Sequence, residues 1–407
     1  MYGCRALSLS RVGRVGDPNL RGKRSTLGPR MARVVITGGT GFIGQLLARK
    51  ILQKGQLLSH AAAGAAAAEV VVPIREILLA DVVRPPKLLF EELEQSPVQI
   101  VTGDLSDEGY CKELFAANDG GPLSVFHLGA VMSGQGEADF DLCMGVNLRG
   151  TMQMLEAARH CGSPRPRFIY ASAGATFGSG APTDYVSKDD EIGDHTRATP
   201  HTTYGMSKAV GELLVSDYSR RGFVDGRGLR LPSVVVRAGA PNAATTSCFS
   251  AVIREPLAGV DTVSPVAADV THAVTGHRNA VGCLLAMHEV SSERADAVLG
   301  YDRTTWVPST TVTQESLEAA VRSVVVPESH SALGKVTYDV TNRALSDAVG
   351  SFPAKISCAR ALALGLPDEG LDTESLVRGK HSAHLACSFH CYVCTRFSLA
   401  SYVIILC

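Results

Sequence analysis

The stretch RVVITGGTGFIG, residues 33–44, decides the fold. An apolar, β-branched run passes into glycines at 38, 41 and 44, and these lead into the helical pattern FIGQLLARKILQKG, so the order is strand, tight turn, helix. Glycines at these positions permit the turn, a close backbone approach to a pyrophosphate, and tight helix-on-sheet packing, while the helix start offers unpaired N–H groups to an anion. A glycine triplet alone is weak evidence for a dinucleotide. Here a second apolar run, EILLADVV, follows and ends in an acid, Asp81, which completes the fingerprint. A carboxylate there accepts hydrogen bonds from the adenosine ribose hydroxyls and repels a 2′-phosphate. That favours NAD over NADP, although Arg84, three residues on, keeps NADP open. Between glycines and acid lies GQLLSHAAAGAAAAEVVVPI, read as an inserted loop or a helix extension that lengthens the usual spacing.

Working outward, strand-like runs recur at VQIVTGD, SVFHLGA, RFIYASA and GLRLPSVVVRAG, separated by helical patterns such as VNLRGTMQMLEAARHC and SKAVGELLVSDYSRRG. Strands alternating with helices predict a Rossmann-type doubly wound α/β fold, a parallel sheet covered on both faces. We place the dinucleotide-binding domain at 31–240. A smaller mixed lobe at 241–370 covers the substrate, because ligands in such folds bind beyond the carboxyl ends of the strands. In GDLSD, 103–107, Asp104 and Leu105 are placed to meet the adenine, with Ser106 or Asp107 capping the next helix.

Lysine plus arginine (39) nearly cancels aspartate plus glutamate (40) over 407 residues, so charge points to a small-molecule partner and to neither nucleic acid nor an anionic membrane. The cysteines of the body are scattered singly, which suits reduced thiols and a cytoplasmic location. Residues 1–30 carry seven Lys or Arg against Asp17 alone. Such a leader reads as disordered, as an upstream start before Met31, or as an organellar import signal. The tail, 371–407, holds Cys387, Cys391, Cys394 and Cys407 beside His384 and His390; it lacks a second paired knuckle, and we assign no metal. Its last apolar run is short for a membrane span.

TTYGMSKAVGELL puts Tyr204 and Lys208 four residues apart on one helix face. An ammonium near the phenol favours its ionised form. A tyrosinate can then take a proton from an alcohol whose carbon gives up hydride.

Taken in order, TGGTGFIG, GDLSD, FHLGA, VNLRGT and YGMSK resemble the extended short-chain dehydrogenase/reductase family of NAD-dependent epimerases, dehydratases and sugar-acid dehydrogenases. Within it, residues 217–259, DYSRRGFVDGRGLRLPSVVVRAGAPNAATTSCFSAVIREPLAG, are similar to the matching stretch of D-erythronate dehydrogenases, which oxidise the C2 hydroxyl of a four-carbon sugar acid with NAD. The resemblance implies that Gly38, Gly41, Phe42, Ile43, Gly44, Leu128, Ala130 and Asn147 line or support the cofactor site. It also implies that Tyr204 is the base, that Lys208 tunes it and holds the nicotinamide ribose, and that Asn242 and Arg254 bind substrate. A homodimer through the helices near VNLRGT and SKAVGELL follows from the same likeness. His272 and His277 are left without a role.

The chain departs from the family at FIYASAGATFG, 168–178. The family's second hydroxyl there, five residues before the glycine, hydrogen-bonds the reacting oxygen; counting back from Gly178 lands on Ala173. Ser172 survives next to it, but neighbours on a strand face opposite ways, so Ser172 serves the substrate only where the strand end is irregular. Thr176 is the other hydroxyl nearby. Two rival readings follow: a nucleotide-sugar epimerase or dehydratase that regenerates its cofactor, and an NAD-binding scaffold whose chemistry has faded with residue 173.

Overall fold

The computed structural model describes residues 31–60, 68–116, 118, 120–178, 186–236 and 245–384. The basic leader, Asn242 and the cysteines of the tail lie outside the described residues.

Strand β1 (Ala32–Thr37) is buried along its whole length. Its alternation feeds two cores. Val34 and Ile36 pack with Leu47, Ala48 and Ile51 of the helix Phe42–Lys54, whereas Val35 packs on the opposite face with Phe115 and Leu155. A strand buried on both faces needs a continuous apolar run, and VVI supplies one. Around β1 the chain adds β2 (Gln56–His60), β3 (Glu69–Asp81), β4 (Val98–Thr102), β5 (Leu123–His127) and β6 (Arg167–Ala173). Strands Asp225–Leu231 and Thr304–Trp306 complete an eight-stranded sheet, with Thr304–Trp306 at one edge, then Asp225–Leu231, β6, β5, β1 and β3. Every pairing is parallel except that of β2. The order reverses beside β1, which lies between β3 and β5, and that switch point opens the ligand crevice of a doubly wound sheet.

The described arms of the insert are strands: β2 pairs antiparallel with the first half of a 13-residue β3, Gln56 opposite Pro73 and His60 opposite Glu69, and the alanine run between them, 61–67, lies outside the described residues. The arms, QLLSH and EVVVP, are β-formers, and β-branched valines pack on a pleated surface better than in a helix. Residues beyond 240 contribute to both parts of the fold. Thr304–Trp306 returns to the main sheet, and the helix His277–Glu289 places Leu284, Leu285 and Met287 in the core under β1. The rest of this region forms a smaller mixed unit. In it His272–Gly276 pairs with Ser233–Val235 and Thr310–Val312, over a core that includes Phe249, Ile253 and Leu317.

The N-terminal ends of the strands meet in a buried ionic cluster. Asp225 is fully buried and faces Arg167 (Nε 3.2 Å), Arg227 (Nη2 2.8 Å), Arg303 (Nη2 3.2 Å) and Ser292 (Oγ 2.8 Å). His60, Glu69 and Asp225 bring ligand atoms within 4.8 Å of one another, yet the guanidiniums already neutralise both acids and would repel a cation. Burial by itself raises the Asp225 carboxyl, but the charges of Arg227 and Arg167 and the His60 hydrogen bond outweigh it and hold the group well below the usual range.

Four buried histidines are held neutral by desolvation, His127 down to about 3 and His272, His277 and His288 to about 4. The unfolded chain takes up these protons near pH 6.5, so it binds more protons than the native state between about pH 6.5 and 4. Stability therefore falls as pH drops through that window, by up to about 1.4 kcal/mol per pH unit for each histidine. A Tm that declines steeply from pH 7 to 4.5 is the expected result; a flat profile would contradict it.

Candidate active site

At the C-terminal ends of the strands the glycine loop comes first. Gly38 has φ +65°, and a Cβ added at Gly44 would sit 2.3 Å from the Gly38 carbonyl oxygen and 2.7 Å from the Gly39 Cα. Only glycine lets helix and loop approach so closely. The helix starts on Gly41 with no side-chain cap and no acid in its first turn, which leaves its N–H groups for an anion. Ile43 packs partly into the core below, and the Phe42 ring lies edge-on to His277, centroids 5.4 Å apart. Asp81 ends β3 beside this loop and accepts the Thr40 N–H on Oδ2 at 3.1 Å. Arg84 is turned to the Ile100 carbonyl (2.7 Å).

Gly103 donates to the Asp81 carbonyl (2.9 Å), which sets GDLSD next to the end of β3. Asp104 Oδ1 accepts the Ser106 N–H (2.8 Å). Capping falls to Asp107, whose Oδ1 accepts from Gly109 (2.7 Å) and Tyr110 (3.4 Å) at the head of the helix Glu108–Ala116. Leu105 is buried, its side chain against Gly129 and Gly150.

A buried chain of hydrogen bonds joins the glycine loop to the active-site helices. Gly129 N–H donates to Thr37 Oγ1 (3.0 Å), which contacts His127 Nδ1 (2.8 Å); His127 Nε2 contacts Thr151 Oγ1 (3.0 Å), which donates to the Asn147 carbonyl (2.6 Å). Because the Thr151 proton goes to Asn147, its lone pair must accept from Nε2–H, and Nδ1 then accepts from Thr37. One neutral tautomer satisfies every partner. The Asn147 side chain clamps Val131 from both sides, accepting from its N–H (2.7 Å) and donating to its carbonyl (3.0 Å). Leu128, whose N–H donates to the Thr37 carbonyl (3.2 Å), and Ala130 lie on the same segment. The sequence reading missed Thr37, His127 and Thr151. The available signal was a histidine within an otherwise apolar strand, SVFHL.

The helix Thr203–Arg220 is capped by Thr202, whose side chain accepts from Gly205 (3.0 Å). It carries Tyr204 and Lys208, both buried. Lys208 Nζ lies 5.8 Å from the Tyr204 ring centroid and donates to the Ala171 carbonyl (2.7 Å). Desolvation pushes the ammonium down to about 8, and a cation so placed favours the ionised phenol. Ala173, at the end of β6, packs with Tyr204, Val131 and Cys143. The small apolar residue is the one that faces the tyrosine.

Ser172 is turned toward Glu212. Its Oγ donates to Glu212 Oε1 (2.5 Å), and Glu212 is gripped by Arg230 through Nε (3.0 Å) and Nη2 (2.7 Å). The strand stays regular here, with Ser172 opposite Arg230 and Ala173 opposite Leu231, so the alternation of side chains turns the surviving hydroxyl away from Tyr204. Thr176 is consumed by the Ala173 carbonyl (3.0 Å). Arg254 is buried and ion-paired with Glu255, whose Oε2 has no partner.

The sequence model of the NAD dependent epimerase/dehydratase family matches residues 34–270. The chain is 40% identical over 353 residues to D-erythronate dehydrogenase of Cupriavidus necator, covering 87% of this chain and 99% of that protein. It is 32% identical over 339 residues to D-erythronate dehydrogenase of Haemophilus influenzae, covering 82% and 94%. Among solved structures, the nucleoside-diphosphate-sugar epimerase from Agrobacterium tumefaciens superposes with a TM-score of 0.72 at 30% identity, over 89% of this chain and 97% of that one.

Proposed function

The chain belongs to the NAD dependent epimerase/dehydratase family, and from that premise we propose that it oxidises the C2 hydroxyl of a small sugar acid such as D-erythronate. It is an NAD-dependent oxidoreductase, and the glycine cradle around Gly38 and Gly44 fits the dinucleotide. The observation that carries the reading is the buried Tyr204–Lys208 pair beside Ala173 in a chain with these relatives.

Bound NAD supplies the hydride acceptor. The Tyr204 phenolate takes the hydroxyl proton of the substrate. Lys208 keeps one N–H on the Ala171 carbonyl, has two left for ribose hydroxyls, and holds the phenolate charge. Asp81 receives the adenosine ribose, while Asp104 and Leu105 meet the adenine. Asn147 fixes the Val131 backbone, which lines the same apolar wall as Ala173 and Tyr204. Arg254 and Asn242 are the groups proposed for the substrate carboxylate and a hydroxyl; Arg254 must then share its guanidinium with Glu255.

The test is NADH formation with NAD and a panel of C4 and C5 sugar acids. Net accumulation on D-erythronate is expected. Cofactor that is reduced and regenerated without accumulating would favour an epimerase or dehydratase, and NAD binding without turnover would favour a scaffold. In the same assay Ala173→Ser restores a donor to the reacting oxygen and is expected to raise kcat about tenfold, a fraction of the 10²–10³ lost when oxyanion donors are removed. An unchanged kcat would mean that the missing hydroxyl does not limit turnover.

Phe140, Met152 and Leu213 are exposed on the helical surface beside the active site, which supports a homodimer through these helices. Sedimentation at micromolar concentration is expected to show two copies, and Leu213→Asp to give one; a wild-type monomer would refute it. Six cysteines of the described residues are free thiols. Among the described residues no helix is long and apolar enough to cross a membrane.

A further inference from the structure

Two adjacent rungs join the helix Thr203–Arg220 to the end of β6. Lys208 Nζ donates to the Ala171 carbonyl (2.7 Å). One helical turn on, Glu212 Oε1 accepts from Ser172 Oγ (2.5 Å), on the next residue of the strand. The second rung is also held from the side. Arg230, opposite Ser172 on the neighbouring strand, donates to both oxygens of Glu212, Nε to Oε1 at 3.0 Å and Nη2 to Oε2 at 2.7 Å. All three side chains are buried, and a bidentate guanidinium fixes the orientation of the carboxylate it grips.

The charge of Glu212 has a target. Lys208 is 3% exposed, and a buried ammonium is costly unless an anion faces it. The titratable groups around it are the Cys143 thiol, the Tyr170 ring 5.0 Å from Nζ, the neutral ring of His127, Tyr204 and Glu212. Among the described residues, Glu212 is the one carboxylate whose charge acts on Lys208. Desolvation pushes the ammonium down, and Glu212 opposes it.

We propose that Glu212, locked by Arg230 and Ser172, is a positioning residue: it keeps the Lys208 ammonium charged and seated on the Ala171 carbonyl, and it acts on Tyr204 only through Lys208. The proposal rests on the reading of Tyr204 as the base. It also gives Ser172 a task, because the hydroxyl next to Ala173 orients the carboxylate that stands behind the lysine.

The direct readout is the Lys208 proton, followed by NMR as the pH titration of its ε-carbon in protein carrying isotope-labelled lysine and saturated with NAD, and assigned with Lys208→Arg. This measurement needs no substrate, so it stands apart from the question of turnover. Glu212→Gln removes the negative charge and leaves Arg230 uncompensated, and both changes disfavour the ammonium. The Lys208 midpoint is expected to fall by about one pH unit, a tenfold loss of proton affinity. Glu212→Gln with Arg230→Met leaves no lone buried charge, a replacement that folds tolerate, and is expected to lower the midpoint in the same direction should the single variant not fold. Ser172→Ala keeps the charge and should hold the midpoint. In the NADH assay the alkaline limb of kcat/KM is expected to move down with the midpoint, whereas a purely structural loss lowers the rate at every pH and moves no limb. An unchanged midpoint in the Glu212 variants, an equal fall in Ser172→Ala, or a limb that stays in place while the midpoint moves would each overturn the assignment. A lowered midpoint in a protein that turns over no sugar acid would support the role of Glu212 and count against the proposed function instead.

Discussion

Tyr204→Phe is expected to lower kcat for sugar-acid oxidation by about 10²–10⁴-fold, the usual contribution of a positioned general base, while NAD affinity stays at the wild-type level. The aromatic ring is retained, so packing against Ala173, Val131 and Cys143 survives and only the proton acceptor is removed. The effect reaches the upper part of that range if nothing else takes the proton. The two hydroxyls that flank Ala173 in sequence are occupied, Ser172 by Glu212 and Thr176 by the Ala173 carbonyl. Single-turnover measurement of NADH at saturating substrate isolates the step. A variant that keeps more than about a tenth of wild-type kcat would remove Tyr204 from the mechanism.

Asp225→Ala acts at the opposite ends of the strands and is expected to cost about 3–5 kcal/mol of stability, the penalty for breaking a buried pair. The carboxylate is the common partner of Arg167, Arg227 and Arg303. Without it these guanidiniums retain Glu69 and Asp296, too little negative charge for three buried cations. For a chain of this size the loss corresponds to a Tm lower by roughly 5–10 °C. NAD affinity measured below the transition should not change, because the cofactor site proposed above lies at the other ends of the strands, by Thr37, Asp81 and His127. A Tm within about 2 °C of wild type would show that water or repacking compensates for the lost charge.

The parts legible in the sequence are those set by local geometry. Gly38 and Gly44 announce a turn that only glycine can make, Asp81 is found because β3 ends there, and Tyr204 and Lys208 are four residues apart on one helix. Less legible is the antiparallel pairing of QLLSH with EVVVP. Pairing energy between segments is invisible in either one alone. The setting of Ser172 is hidden for a related reason. Its hydroxyl was visible, but Glu212 and Arg230, 40 and 58 positions away, were not known to be waiting on its side of the strand.

By itself the sequence determined the doubly wound sheet, the glycine turn into its helix, the four-residue spacing of Tyr204 and Lys208, and the lack of a hydroxyl at residue 173, since each depends on periodicity or fixed spacing along the chain. Only the tertiary structure decided that Ser172 belongs to an ion pair, that His127 links Thr37 to Thr151, that Thr304–Trp306 rejoins the main sheet, and that Asp225 gathers three arginines. Those facts rest on contacts between residues far apart in sequence, and burial alone sets which side chains share a desolvated space and must satisfy one another's charges and hydrogen bonds.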